Sequence, residues 1–299
     1  MKTRLLYTES AGIFREMIWE KPDITADEIE VRSVMTGVCR SDIDMMQGNF
    51  GPLPLHMQGH EGLGQVTKVG ANLFGIKEGD YVATRGEPAY ADYYNVRKNE
   101  FVKVPEVDPK YILEPVACGI NVINQSMREI AERSGPGKKL LIKGSGFLAW
   151  IAYHTVMLNH LEFEVDVLGS SNQELWGDIL LVGTSETYDV IVDLTERSDI
   201  FDEPNYNDNA LIIIAAQKKP RISTDFGNML WKACTISFPS PRNPKFIDAM
   251  RDAEMWIRNG DIDVSSFWTR GYDRNTEWQD AFADGANRPA GYSRGYIVW

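Results

Sequence analysis

Apolar and polar positions divide the chain into two kinds of stretch. Up to about residue 105 the apolar positions come in short runs separated by turn residues. Arg4–Thr8 and Phe14–Trp19 are β-prone runs, and between Glu28 and Val38 the residues Ile29, Val31, Val34 and Val38 are set among polar neighbours at strand spacing. Gly64–Val69, Tyr81–Thr84 and Tyr90–Val96 continue the pattern. Many short strands without comparable helices predict a small β barrel or sandwich. Ser41–Gln47 predicts one helical turn, with Ser41 and Asp42 as residues that favour a helix start.

The period then changes. Asp108–Arg133 reads as helical and broken near Pro115; Glu114-Pro115 begins its second part, with Val116, Ile120, Ile123, Met127 and Ile130 at helical spacing. Lys139–Lys143 is a short apolar strand, and a helical run follows over Trp150–Leu158. Further strands are predicted at Phe163–Leu168, Asp189–Leu194, Ala210–Ala216 and Thr235–Phe238, with a polar turn over Asn205–Asn209. Residues 173–188 are short for a helix and a strand, so this half looks trimmed. A helix over Pro244–Arg258 turns Phe246, Ile247, Met250 and Ile257 inward; another falls near Thr276–Gly285, and the last strand covers Gly295–Trp299. The whole reads as α/β in two domains, which 299 residues allow.

Charge and cysteine count narrow the class. A net charge of −12 argues against a nucleic-acid-binding surface and against attraction to anionic lipid. Three cysteines do not make a disulfide framework and fit a reducing, cytoplasmic setting with thiols free for metal. MKTRLLYTESAG lacks the apolar run of a signal peptide, and no window approaches the roughly 18 apolar residues of a membrane span.

Two stretches carry candidate chemistry. Gly37–Gly70 holds Cys39, His60 and Glu61, ligand types that Zn²⁺ selects, and catalytic zinc sites commonly keep a position open beside three protein ligands. Glu114 is the candidate for a further ligand. On spacing alone, a buried thiol and a satisfied core imidazole fit Cys39 and His60 as well. The second stretch is Gly144-Ser-Gly146-Phe147-Leu148-Ala149, set between a strand and a helix. There Gly144 allows the tight turn, Gly146 lets backbone approach a pyrophosphate, and the helix N-terminus offers free N–H groups. The next strand ends Leu168-Gly169-Ser170-Ser171-Asn172, without the carboxylate that binds the ribose 2′-hydroxyl of NAD. Ser170, Ser171 and Asn172 can donate to a 2′-phosphate, which favours NADP(H); a plain turn with NAD(H) is the other reading.

G-H-E-x-x-G followed by Q-V-T-K-V-G, with GVCRSD before it and LEPVACGI after it, resembles the zinc-dependent medium-chain alcohol and polyol dehydrogenases, in order and over nearly the whole chain. The resemblance implies a chaperonin-10-like (GroES-like) β catalytic domain over 1–117, a Rossmann nucleotide domain over 118–261, and a segment 262–299 that returns to the first. It implies a hydride transfer between a small alcohol, polyol or sugar and NADP(H) or NAD(H), and a homodimer or homotetramer. By the same resemblance Cys39, His60, Glu61 and Glu114 lie at one catalytic zinc. Ser41 relays the substrate proton, or caps a helix. Asp42 orients the imidazole, and Asp44 stands where some relatives carry a surface histidine that ends the relay. Arg40 approaches a cofactor phosphate, or is a solvated surface residue. Only Arg85–Ala89 joins the strands between which larger relatives carry a four-cysteine zinc lobe, so a second zinc is not expected. Cys118 is read as a core or cleft-wall residue with a lesser claim as ligand, His56 as structural or rim-lining, and Cys234, His154 and His160 as packing or surface residues. A zinc-free quinone-type reductase or a non-catalytic nucleotide-binding relative is the alternative.

Overall fold

The chain opens on a hairpin. β1 (Lys2–Ser10) and β2 (Ile13–Glu20) pair antiparallel about Gly12, whose φ of +81° suits a residue without a side chain. β3 (Glu28–Gly37), α1 (Arg40–Met46), β4 (Gly62–Val69), β5 (Tyr81–Thr84), β6 (Tyr93–Arg97) and β7 (Phe101–Val104) follow. This computed structural model describes residues 1–49, 58–197, 206–217 and 226–299, and His56 lies outside them.

α2 (Glu114–Asn124) and α3 (Met127–Ala131) lead to β8 (Lys139–Lys143), α4 (Phe147–Leu158), β9 (Glu164–Leu168), α5 (Gln173–Trp176), β10 (Leu180–Leu181) and β11 (Tyr188–Asp193). β12 (Tyr206–Ile214), α6 (Phe226–Trp231), β13 (Thr235–Ser237) and α7 (Phe246–Asn259) come next, and β14 (Trp268–Asp273), α8 (Trp278–Asn287) and β15 (Arg294–Val298) close the sequence. Two units result: Met1–Val116 with Met250–Trp299, and Ala117–Ala249.

The first unit is built on a sheet of order β14-β15-β3-β4-β5-β7, with β6 also pairing to β3. Strands from both ends of the chain therefore meet: Tyr296 on β15 pairs with Gly37 on β3, and Thr36 pairs with Gly62 on β4. One core lies under the hairpin, with Leu5, Ile29, Val31, Val66, Val82, Tyr94 and Val96. A second gathers Leu6, Val38, Ile43, Tyr90, Tyr272, Phe282 and Ile297. Each such side chain gains about 1.5–3 kcal/mol on burial. Among them sits a buried ion pair, Lys21 Nζ to Glu30 Oε2 at 2.9 Å, with Lys68 Nζ on the same oxygen at 3.0 Å and the Thr67 hydroxyl donating to Oε1 at 2.9 Å.

The second unit is a six-stranded parallel sheet of order β10-β9-β8-β11-β12-β13. Its central strands carry Leu140, Leu141, Ile142, Val190, Ile191 and Val192, all buried, as strands covered on both faces require. This is a Rossmann-type doubly wound sheet, whose strand order reverses between β8 and β11; such a crevice, beyond the strand C-termini, is where nucleotides bind.

The helical region is broken just before Pro115, as predicted: a 3-10 turn covers Pro109–Tyr111 and α2 starts at Glu114, with Pro115 in its first turn, where a missing N–H has no intrahelical partner to lose; a further interruption falls at Gln125–Ser126. One predicted detail differs. Of the turn predicted over Asn205–Asn209, Asn205 lies outside the described residues and the rest is not a turn between elements. Tyr206–Asn209 open β12, with Tyr206 buried opposite Tyr188; the polar run is a bulge in the ladder, ending at Asn209 with φ +60°.

Candidate functional site

Cys39 leaves the end of β3 and caps α1 in extended conformation. Its N–H donates to Asp42 Oδ2 at 3.1 Å, so the first turn of α1 fixes the thiol. His60 and Glu61 lead into β4, next to β3. Cys39 Sγ, one ring nitrogen of His60 and one oxygen of Glu61 all lie within 4.8 Å of one another. Ser41 reaches the same place: its hydroxyl donates to Cys39 Sγ at 3.2 Å and lies 3.5 Å from His60 Nε2. His60 Nδ1 faces Asp42 Oδ1 at 3.5 Å, which leaves Nε2 toward the thiol. Two of the three ligand types are borderline or soft and the third is a carboxylate, a donor set that suits Zn²⁺.

Two residues of this cluster carry no sequence signal. Tyr90 is fully buried and donates its hydroxyl to Asp42 Oδ2 at 2.7 Å. Its ring packs against Phe14 and Phe282. Arg294, 233 positions after Glu61, places Nη2 at 2.6 Å from both Glu61 oxygens. The pairing of β15 with β3 and of β3 with β4 brings the two together. Glu61 folds over Gly37, where a Cβ would strike its carboxylate and push it from its place.

Charge is concentrated and desolvated here. Burial pushes the Cys39 thiol up, and the Glu61 carboxylate adds to the effect. Burial alone would lower His60, but Asp42 and Glu114 overcome it and hold the imidazole well above its ordinary value. Asp42 is raised by burial despite His60 and Tyr90. Burial, followed by the Asp42 charge, drives Tyr90 well above its usual range, so it stays a donor. Burial opposes the Arg294 charge, and Glu61, then Cys39, more than restore it. A cation entering this cluster displaces protons from Cys39 and His60.

Glu114 opens α2, is 3% exposed, and acts on His60 and Arg294 through its charge; it is not one of the three clustered ligand groups. Cys118, further along the same helix, is half-buried and also outside the cluster. Asp44, at the place where some relatives carry a surface histidine, is 4% exposed here and accepts from Asn49 Nδ2 at 3.0 Å. Arg40 is half-buried, with Nη1 at 3.5 Å from the Ala286 carbonyl.

In the second unit the glycine turn follows β8. Gly144 has φ +118°, and Gly146 caps α4 in extended conformation with open space where a Cβ would point. Phe147 and Leu148 form the first turn of α4. Gly169 lies so close to Ser145 that a Cβ there would strike it. Ser145 also ties down the loop after β9. Its hydroxyl lies 2.9 Å from Ser171 Oγ and accepts the Ser171 N–H at 3.1 Å, while its carbonyl accepts Asn172 Nδ2 at 2.8 Å and Trp176 Nε1 at 3.0 Å. Ser171 and Asn172 thus hold the loop, and Ser170 keeps an exposed hydroxyl.

Residues 25–106 match the alcohol dehydrogenase GroES-like domain. An alcohol dehydrogenase of Moraxella sp. is 40% identical over 183 residues, 51% of this chain and 53% of that protein. The NADP-dependent alcohol dehydrogenase 6 of Saccharomyces cerevisiae is 27% identical over 157 residues, 40% of this chain and 43% of that protein. The matches thus span about half the length of these curated relatives or less. A protein of E. coli CFT073 described as a short chain alcohol dehydrogenase and solved with NADH superposes with a TM-score of 0.83 at 16% identity, covering 100% of this chain and 99% of that one, which establishes the shared fold. Residues 25–106 are thus similar to the GroES-like domain of alcohol dehydrogenases, and the fold over the whole chain is one shared with solved dehydrogenases.

Proposed function

We propose that the chain is a zinc-dependent oxidoreductase, transferring hydride between a secondary alcohol, polyol or sugar and NADP(H) or NAD(H). The grouping of Cys39, His60 and Glu61 within 4.8 Å, with the Ser41 hydroxyl bonded to it, carries the reading. Cys39 and His60 would hold one zinc, with Glu61 or Glu114 supplying a carboxylate. When bound, zinc lowers the pKa of a hydroxyl it meets. Ser41 Oγ then takes the substrate proton and passes it on, Asp42 orients His60 through Nδ1, and Tyr90 holds Asp42.

The nicotinamide cofactor carries the hydride. Gly144 and Gly146, with the backbone of Phe147 and Leu148, would cradle its pyrophosphate at the N-terminus of α4. Gly169, Ser170 and Ser171 lie where the adenosine ribose would come, and Arg40 is the proposed cationic contact to a phosphate. NADP(H) is favoured, because β9 ends without a ribose-binding carboxylate and Ser170 is free to donate. The NADP-dependent yeast relative and the NADH-bound neighbour support a nicotinamide cofactor of either kind.

A homodimer or homotetramer is proposed, supported by β13 at the edge of its sheet and Phe238 beyond it, 69% exposed. A cytoplasmic setting is supported by three free cysteines; no helix among the described residues is long and apolar enough to cross a membrane.

Metal content of protein purified without chelator or added metal tests the reading. About one zinc per chain is expected, lost on Cys39→Ser together with NADP(H)-linked turnover of an alcohol and sugar panel. Protein that neither contains nor takes up zinc sinks the proposal. It would favour the zinc-free reductase, to which one observation already lends support: Arg294 supplies Glu61 with a counter-charge without any metal.

A further inference from the structure

The second unit contains a cleft of about 550 Å³. Its walls come from the end of α2, the end of α4 and the start of α7. Asn159 caps the C-terminus of α4, whereas Gly146 caps its N-terminus. At 1.5 Å per residue, about 18 Å of helix separates this cleft from the glycine turn. It is therefore not the dinucleotide site.

Five carboxamides line it: Asn121, Asn124, Gln125, Asn159 and Asn243. Several are fixed by bonds made outside the cleft. Gln125 Nε2 donates to the Ser240 carbonyl at 2.7 Å, and Asn159 Nδ2 to the Thr155 carbonyl at 2.8 Å, which leaves each side-chain oxygen as an acceptor. Asn243 Oδ1 accepts the Lys245 N–H at 2.9 Å, which leaves its NH₂ as a donor. Asn121 is 4% exposed and lines the cleft, so its carboxamide is among the groups a ligand there would meet.

We propose that this cleft binds a small, uncharged polyhydroxylated molecule of the sugar or polyol class, at a site separate from the catalytic cluster. Hydroxyl groups both donate and accept, as this preset mixture of amide oxygens and NH₂ groups requires. Lys245 and Asp248 stand at the rim and together favour neither an anion nor a cation. Met127 and Ala249 supply apolar wall for C–H faces. The volume falls in the range of small-molecule sites.

Titration calorimetry with sorbitol as the probe tests this on the full chain. Saturable binding at one per chain is expected in the wild type. It persists in Cys39→Ser, which disables the catalytic cluster. Asn121→Leu weakens it about tenfold or more, the loss of one to two buried hydrogen bonds. Should Asn121→Leu fail to fold, Asn159→Leu at the exposed rim is expected to weaken binding about threefold to tenfold. Absence of saturable binding overturns the proposal. So does binding that disappears in Cys39→Ser, or that is undiminished in both asparagine variants.

Discussion

Arg294 Nη2 stands 2.6 Å from each oxygen of the Glu61 carboxylate, and the two side chains are 13% and 0% exposed. Breaking such a buried pair from one side leaves a desolvated charge. Arg294→Met is therefore expected to cost about 3–5 kcal/mol in metal-free protein, and Arg294→Met with Glu61→Gln far less. Urea unfolding of both variants checks this; equal losses would mean that the arginine stabilises by packing alone.

Tyr90→Phe keeps the ring contacts and removes the donor to Asp42. Partners that orient metal-bound imidazoles are worth about 10- to 100-fold in metal affinity. Zinc retention against a chelator is expected to fall by about tenfold, with melting temperature little changed.

Ser41→Ala removes the hydroxyl between Cys39 Sγ and His60 Nε2. Turnover is expected to drop by about 10²-fold or more, with zinc content preserved. Full activity with zinc in place would remove Ser41 from the proton path.

Gly146 has extended backbone and open space at its missing Cβ. Gly146→Val is accordingly expected to leave stability nearly unchanged while filling the space that a pyrophosphate needs. The prediction is at least a tenfold rise in cofactor KM, read from initial rates at varied NADP(H).

Glu30 gives a pH dependence. Burial would raise its carboxyl, but the bonds from Lys21 and Lys68 outweigh it and the group is lowered. A lowered carboxylate stabilises fully above the unfolded value of about 4.3 and loses that contribution as pH falls through its folded value. The stability gap between wild type and Glu30→Gln is expected to be constant near neutrality and to close below about pH 4.3. A constant gap down to pH 3 would show that the pair does not titrate as described.

Local rules reached far along this sequence. Tyr81–Thr84 and Lys139–Lys143 were legible to the residue because alternation or a short apolar run, bounded by turn residues, says strand. The grouping of Cys39 and His60 was legible through flanking glycines and not through spacing. Arg294 and Tyr90 were not legible at all. Each acts through a partner 48 or more positions away, and nothing local distinguishes a buried arginine or tyrosine from a surface one. The helix start at Glu114-Pro115 was legible because proline is tolerated in a helix's first turn and not further in. The turn predicted over Asn205–Asn209 was misread in its described part because a bulge and a turn use the same residue types.

The order of strands has a consequence for synthesis. The second unit is one unbroken stretch, Ala117–Ala249, whereas the first needs β14 and β15 from Met250–Trp299 to complete a sheet begun with β3. As the chain emerges, the nucleotide-type sheet can close on itself while the earlier-made β-rich unit waits, its edge at β3 open and Glu61 without its arginine. The unit translated first is thus finished last, and a nascent chain stalled before β15 would present the open edge of β3 at Met35–Gly37, the kind of edge that chaperones and aggregation compete for.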